Sequence, residues 1–181
     1  MYMNTGDQDL AKSAARGDAA SFQALLERHY DTIYAVAFRY SGLREDAEDI
    51  AQEVCTSLVT KLHSYRGQSQ FKTWLYRITV NAARDLHRKK AASGKLHQAY
   101  AELSDLAREE ATESAGDIAW LYQSLDRLAE SLRETAILVL AEGMNHKQAA
   151  EILDVKESTI SWRMHELKNQ LKAFATEEAQ A

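Results

Sequence analysis

Trp74, Arg77, Asn81, Arg84 and Arg88 follow one another at steps of three, four, three and four. On a helix that spacing sets them along one line. Their chemistry is that of nucleic-acid binding. Guanidinium groups match phosphate oxygens, an indole stacks on an unpaired base, and a carboxamide reads a base edge. Phe71, Leu75, Ile78 and Ala82 fall at steps of four, three and four and supply a second face that can bury itself. For an arbitrary helix, a solvated basic face with Trp74 in the core is an equally good account. The preceding loop, HSYRGQSQ, adds Tyr65 and Arg66 and favours single-stranded DNA.

A segment of opposite sign lies upstream: Asp46, Glu48, Asp49, Gln52 and Glu53. Asp46, Asp49, Glu53 and Thr56 are expected to share a face away from the apolar stripe of Ala47, Ile50, Ala51, Val54, Leu58 and Leu62. Clustered carboxylates can hold a cation or exchange protons. Here no histidine stands at ligand spacing, and one helix face cannot surround an ion. Most acidic stripes are simply solvated; contact with a basic protein partner is the functional reading. Cys55 sits beside the stripe with no histidine to activate it, so an inert thiol is expected. The six histidines form no HExxH pattern, and no glycine-rich phosphate loop is present. We therefore expect no catalytic residue, no metal and no cofactor: the protein is not read as an enzyme.

Near the other end, Asn145-His146-Lys147-Gln148 has the form of a helix cap and opens a short helix through Leu153. A turn at Asp154-Val155-Lys156 leads into a last helix, about Glu157 to Phe174. Ala149, Ala150, Ile152, Leu153, Val155 and Ile160 have the small and apolar placements that close packing needs. Two short helices joined in this way make a helix-turn-helix. Ser158, Thr159, Ser161, Trp162, Arg163 and His165 would then occupy the start and outer face of its second helix, with Ile160, Met164, Leu167 and Leu171 pointing inward. An ordinary helical hairpin is the plainer alternative.

The whole chain must position these groups. With no proline and only 7 glycines in 181 residues, long helices are the natural expectation. We predict an all-α protein of two small helical domains joined by a linker. Residues 1–17 read as a tail, 18–92 as the first domain, 93–116 as the linker, 117–175 as the second domain and 176–181 as a second tail. The first domain should contain helices from about Asp18 to Tyr40, Glu45 to Leu62 and Phe71 to Lys90. In the second, Ile118, Leu121, Tyr122, Leu125 and Leu128 form one apolar face, and a capping box at Ser131 and Glu134 opens a helix ending at Gly143. The net charge of −5 hides a division. From Lys61 to Lys95, Asp85 is the only acid among nine cations, whereas the flanking segments are acid-rich. The longest strongly apolar stretch, Ala136 to Ala141, is far short of the ~20 residues a membrane span needs. One cysteine and no secretory-type start fit the cytoplasm.

These motifs together resemble a bacterial extracytoplasmic-function (ECF) sigma factor, from about Phe22 to Leu171. REDAEDIAQEVCTSLVTKL resembles the family's polymerase-binding helix, FKTWLYRITVNAARDLHRKK its promoter-melting helix, and HKQAAEILDVKESTISWRMHELKNQL its −35-reading helix-turn-helix. The resemblance implies that Asp46, Glu48, Asp49, Gln52 and Glu53 contact the clamp helices of core RNA polymerase. It implies that the loop from Ser64 to Gln70 holds a flipped −10 base. Tyr65, Arg66, Lys72, Trp74, Arg77, Asn81, Arg84, Arg88 and Lys89 would then bind −10 DNA. Ser158, Thr159, Ser161, Trp162, Arg163 and His165 would meet the −35 duplex, and the segment from Ile118 to Gly143 would help dock on the polymerase flap. An anti-sigma factor is an implied partner, and stress response an implied setting.

The sequence departs from the family pattern in places. Ala129 replaces a usual proline, Asp154 a frequent glycine, Trp162 a small residue and Glu166 a basic one. A carboxylate at Glu166 repels phosphate, and an indole at Trp162 reshapes the reading face. Two other functions compete: a conventional helix-turn-helix regulator using only the second domain, and a sigma-mimicking interaction protein that binds no promoter.

Overall fold

The computed structural model describes residues 5–92, 120, 124, 125 and 127–179. Helices and short connections account for them, and no strand occurs among the described residues. Chain contacts divide the molecule into two compact units, Met1–Phe38 with Arg44–Lys95 and Arg39–Leu43 with Leu96–Ala181.

The first unit is built from α1 (Asp7–Ala15), most of α2 (Ala19–Ser41), α3 (Arg44–Lys61), a 3-10 turn (Leu62–Ser64) and α4 (Phe71–Ala92). Asp18 starts α2 as a cap. Its carboxylate accepts from the Ala20 amide at 3.2 Å and the Ser21 hydroxyl at 2.5 Å. The Ser21 bond, foremost, holds the Asp18 carboxyl below its ordinary pKa. All six predicted stripe residues, Ala47, Ile50, Ala51, Val54, Leu58 and Leu62, are buried. Burying a side chain such as Ile50 or Leu58 contributes about 1.5–3 kcal/mol. On α4 the buried surface is wider than one stripe. Phe71, Leu75 and Ile78 are covered as expected, but so are Tyr76, Thr79, Val80 and Ala83, because α4 packs on α1 as well as on α3.

That wider burial reflects a correction at the start of the chain. Residues 1–17 were expected to be a tail, yet 7–15 form α1, with Leu10 and Ala11 1% and 0% exposed. One leucine and three alanines in DQDLAKSAA give no strong helical period to read; tertiary contacts fix this helix instead.

The second unit contains α5 (Glu130–Ala136), a wide π turn (Ile137–Ala141), α6 (His146–Leu153) and α7 (Glu157–Ala179). The expected capping box at Ser131 does not form. The Leu132 and Arg133 amides donate to the Ala129 carbonyl at 2.9 and 3.0 Å, which starts α5 earlier and places Ser131 inside it. Glu134 is buried at 5% exposure instead of returning to a cap. The predicted single helix to Gly143 also widens: the Glu142 amide reaches back to the Ile137 carbonyl at 3.0 Å.

The box at Asn145 does form. The Gln148 amide donates to the Asn145 side chain at 2.9 Å, and the Asn145 amide donates to the Gln148 side chain at 3.1 Å. Asp154 then takes a left-handed conformation, φ 58° and ψ 47°, that ends α6. Aspartate tolerates this region better than most residues, and here it does the work of the glycine it replaces. Ile160 and Leu167 of α7 are buried as predicted, whereas Met164 and Leu171 are only half-buried. Of the apolar face predicted from Ile118, Leu125 and Leu128 are buried; Ile118, Leu121 and Tyr122 lie outside the described residues. The linker at 93–116 also lies outside them, and α7 continues past Phe174 into the stretch read as a tail.

Candidate nucleic-acid interface

The loop before α4 is shaped by short-range bonds. The Tyr65 amide donates to the Leu62 carbonyl at 3.1 Å, and the Tyr65 hydroxyl reaches the Ser69 carbonyl at 2.8 Å. Gly67 turns the chain at φ +71°, where a side chain would be strained although space is open. Tyr65 is thereby folded back over the start of α4. Its ring lies 5.6 Å from that of Phe71, edge-on, and 5.0 Å from that of Trp74. Phe71 and Trp74 lie 5.7 Å apart. Burial, foremost, and the nearby Asp7 charge raise the Tyr65 pKa, so its hydroxyl keeps its proton.

Trp74 is neither sunk in the core nor free: it is half-buried against these two rings. From there the predicted line runs outward. Arg77, Asn81 and Arg88 are exposed, and Arg84 is half-buried. The Arg84 Nη1 donates to the Asn81 side-chain oxygen at 3.4 Å, while Arg88 pairs with Asp85 on the surface. An exposed pair of that kind contributes about 0–1 kcal/mol, so phosphate can displace it readily. Arg66, Lys72 and Lys89 are exposed, with the Lys72 ammonium 5.7 Å from the Tyr76 ring centre. The structure thus brings an aromatic cluster and a run of cations to one helix. Phe71 was read only as core; its place in the cluster follows from its position three residues before Trp74 and from the folding back of Tyr65.

The acidic helix α3 is less uniform than its sequence. Glu48, Asp49, Gln52 and Glu53 are exposed. Asp46 does not share their face: it is 6% exposed and forms an ion pair with Lys90 at the far end of α4. A buried carboxylate needs such a partner, and this one is 44 positions away, beyond any local pattern. Beside the exposed acids an open groove is lined by Tyr30, Asp31, Tyr34, Glu48, Gln52 and Cys55. Burial pushes the Cys55 thiol above its ordinary pKa, which agrees with an inert group. Among the described residues no cluster of histidine, cysteine and carboxylates could hold a metal.

On the helix-turn-helix, Ser158, Ser161, Trp162 and His165 are exposed and Thr159 is half-buried. Trp162 shows 62% of its surface. Ser161 is engaged within the unit: its hydroxyl lies 2.9 Å from His146 Nδ1 and donates to the Glu157 carbonyl at 3.3 Å. Arg163 is half-buried, and its Nη1 is buried with no hydrogen-bond partner. Glu166, one of the departures, accepts from Gln170 at 2.8 Å.

A family model described as sigma-70 region 2 matches residues 25–93, which takes in α3, the loop and α4. A curated relative named RNA polymerase sigma factor NccH, from Alcaligenes xylosoxydans, is 32% identical over 174 residues, covering 93% of this chain and 94% of its own. This chain belongs to the sigma factors. Within them it is of the ECF type. The ECF RNA polymerase sigma-E factor of Escherichia coli is 28% identical, covering 87% of this chain and 88% of its own. A structure of CnrH in complex with the cytosolic domain of CnrY shares the fold at a TM-score of 0.67 and 23% identity, covering 94% of this chain and 97% of that one. The sigma factor RpoE of Bartonella quintana, solved with the anti-sigma factor NepR, matches at 0.65 and 22%, covering 86% and 96%. ECF sigma factors are transcription initiation factors, and no helix among the described residues is long and apolar enough to cross a membrane.

Proposed function

We propose that this ECF sigma factor binds core RNA polymerase through α3, opens the −10 element with α4 and its preceding loop, and reads the −35 duplex with α7. It performs no covalent step; the polymerase does. The single observation that supports this most is the alignment of Trp74, Arg77, Asn81, Arg84 and Arg88 on one helix, with Tyr65 of the preceding loop packed on Trp74. Rings receive unpaired bases while cations hold the strand, and both offset the few kcal/mol that unpairing costs. Arg66, Lys72 and Lys89 add positive charge beside that line.

Glu48, Asp49, Gln52 and Glu53 form the polymerase-facing set. Asp46 is assigned to the fold, since its carboxylate is taken up by Lys90. Ser158, Thr159, Trp162 and His165 form the duplex-facing set, with Ser161 and Arg163 in supporting positions. Separate modules need not bind DNA tightly alone, because polymerase tethers both and raises their local concentration. This accounts for a DNA-binding protein of net charge −5. The working division is 18–92 for polymerase and −10 binding and 117–175 for −35 binding, acting in the cytoplasm. The related folds solved with CnrY and with an anti-sigma factor support an anti-sigma partner here.

The test is run-off transcription with purified core polymerase and genomic fragments. Promoter-specific transcripts are expected. Their absence, where a control sigma factor works, contradicts the proposal. Tight promoter binding without polymerase would favour a conventional regulator instead.

A further inference from the structure

Helix α1 lies outside the segment matched by the sigma region 2 model, residues 25–93. Its contacts nevertheless lead to the promoter-opening loop. α1 packs on the 3-10 turn that precedes the loop and on α4 that follows it. Asp7 holds two residues of α2 at once: one carboxylate oxygen accepts from Arg28 Nη1 at 2.5 Å, and the other lies 2.9 Å from His29 Nε2. Arg28 Nη1 also donates to the Thr5 carbonyl at 3.0 Å. The His29 ring, 7% exposed, packs on Phe71 with ring centres 5.3 Å apart.

The nine-residue helix α1 therefore packs on both sides of the loop and is joined by a polar link to its far end. Asp7 reaches Phe71, the first residue after the loop, through His29. Burial of Leu10 and Ala11 anchors α1 but has no direction, whereas the Asp7–His29 link is directional and ends on the aromatic cluster. Within the loop the Tyr65 hydroxyl bonds the Ser69 carbonyl. His29 suits its role as a neutral ring. Burial, foremost, lowers its pKa; Asp7 opposes this, and the Arg28 and Lys72 charges add to it.

We propose that Asp7, acting through His29, is a positioning residue for promoter opening: α1 holds the 65–70 loop and Trp74 in the arrangement that receives unpaired −10 bases. This rests on the reading of α4 given above.

The test uses the full-length protein assembled with core polymerase. The probe is a single-stranded oligonucleotide carrying the non-template −10 sequence of its strongest run-off promoter. Core affinity is measured in parallel, and Trp74→Ala serves as the control for the site itself. Asp7→Ala is expected to weaken oligonucleotide binding about tenfold, as loss of hydrogen bonds to a charged group does, with core affinity unchanged. Asp7→Glu should restore most of it, and His29→Phe should add little to Asp7→Ala because the two lie on one path. Wild-type oligonucleotide binding by Asp7→Ala overturns the inference alone, provided Trp74→Ala loses it. A proportional fall in core affinity also overturns it, since that marks a purely structural helix. No binding by the unaltered holoenzyme overturns the parent reading and this one together. If Asp7→Ala does not assemble, Asp7→Asn decides: it keeps the size and an acceptor, and a loss of about threefold is expected, none being contrary.

Discussion

Two long helices carry the proposed DNA contacts, and they differ in how their polar groups are used. On α4, Arg77, Asn81 and Arg88 stand out from the surface, and the Arg88 pair with Asp85 is exposed and weak. On α7, several candidates serve the unit that holds them. Ser161 is tied to His146 and Glu157, Arg163 has a buried amino group, and Thr159 is half-buried. The helix-turn-helix is specified by its frame: a reciprocal cap at Asn145, a left-handed Asp154, and buried Ile152, Leu153 and Ile160. The geometry of this motif is thus set by groups other than its candidate reading residues. On α4 the reverse holds, because the chemistry is in the exposed groups and the helix needs only one covered side.

The largest expected effect comes from neither DNA helix. Asp49→Lys with Glu53→Lys reverses two exposed acids on α3 and should weaken core-polymerase binding about a hundredfold or more, since like-charge juxtaposition costs several kcal/mol. Titration of a labelled protein with core polymerase checks this. Unaltered affinity would remove α3 from the polymerase interface and leave α4 to carry both roles.

Lys90→Ala comes next and separates folding from binding at the end of α4. It leaves the buried Asp46 carboxylate without this partner. A fully buried pair broken in this way costs about 3–5 kcal/mol; because Lys90 keeps partial access to water, about 2 kcal/mol is expected. Urea unfolding of the first unit reads it, and Asp46→Asn should leave core affinity unchanged. A large loss of core affinity in Asp46→Asn would return that residue to the polymerase-facing set.

A smaller effect concerns pH. His29 has a folded pKa below its unfolded value, so the unfolded chain binds its proton first as pH falls. Its contribution is fully present above the unfolded value of 6.5 and is lost as pH drops through the folded one. Stability should therefore decline from pH 7 towards pH 5, and His29→Phe should flatten that slope. An unchanged slope would place the responsible group elsewhere. The smallest effect belongs to Trp162→Ala. Stability should stay within about 0.5 kcal/mol, as for other exposed positions, while −35 duplex affinity of the holoenzyme drops about threefold. A drop as large as that of Trp74→Ala on single-stranded DNA would erase the contrast between the helices.

Much of this fold is legible in the sequence. Every α3 stripe residue is buried because a period of 3.6 leaves one side to cover. The Asn145 box was legible because both its partners lie within four residues. What escaped depends on distance along the chain. Asp46 looks like a surface acid until Lys90 meets it, and α1 looks like a tail until its contacts with the turn and α4 are seen. Ser131 to Glu134 carries the letters of a cap, but the backbone at Ala129 had already started the helix. At the site, the line from Trp74 to Arg88 followed from spacing, whereas the stack with Tyr65 and Phe71 needed the loop to fold back.

The central claim is that α3 takes polymerase while α4 takes melted DNA. Its most direct test is the Arg84→Ala, Arg88→Ala double variant, assembled with core polymerase on a run-off promoter and probed for unpaired thymines by permanganate. Both changes lie on the α4 line, away from the exposed acids of α3 in sequence and in role. Core affinity should match the unaltered protein, while opening falls about tenfold or more, as expected when two charged contacts to the strand are removed. Loss of core binding in this variant, or full opening despite it, would contradict the account.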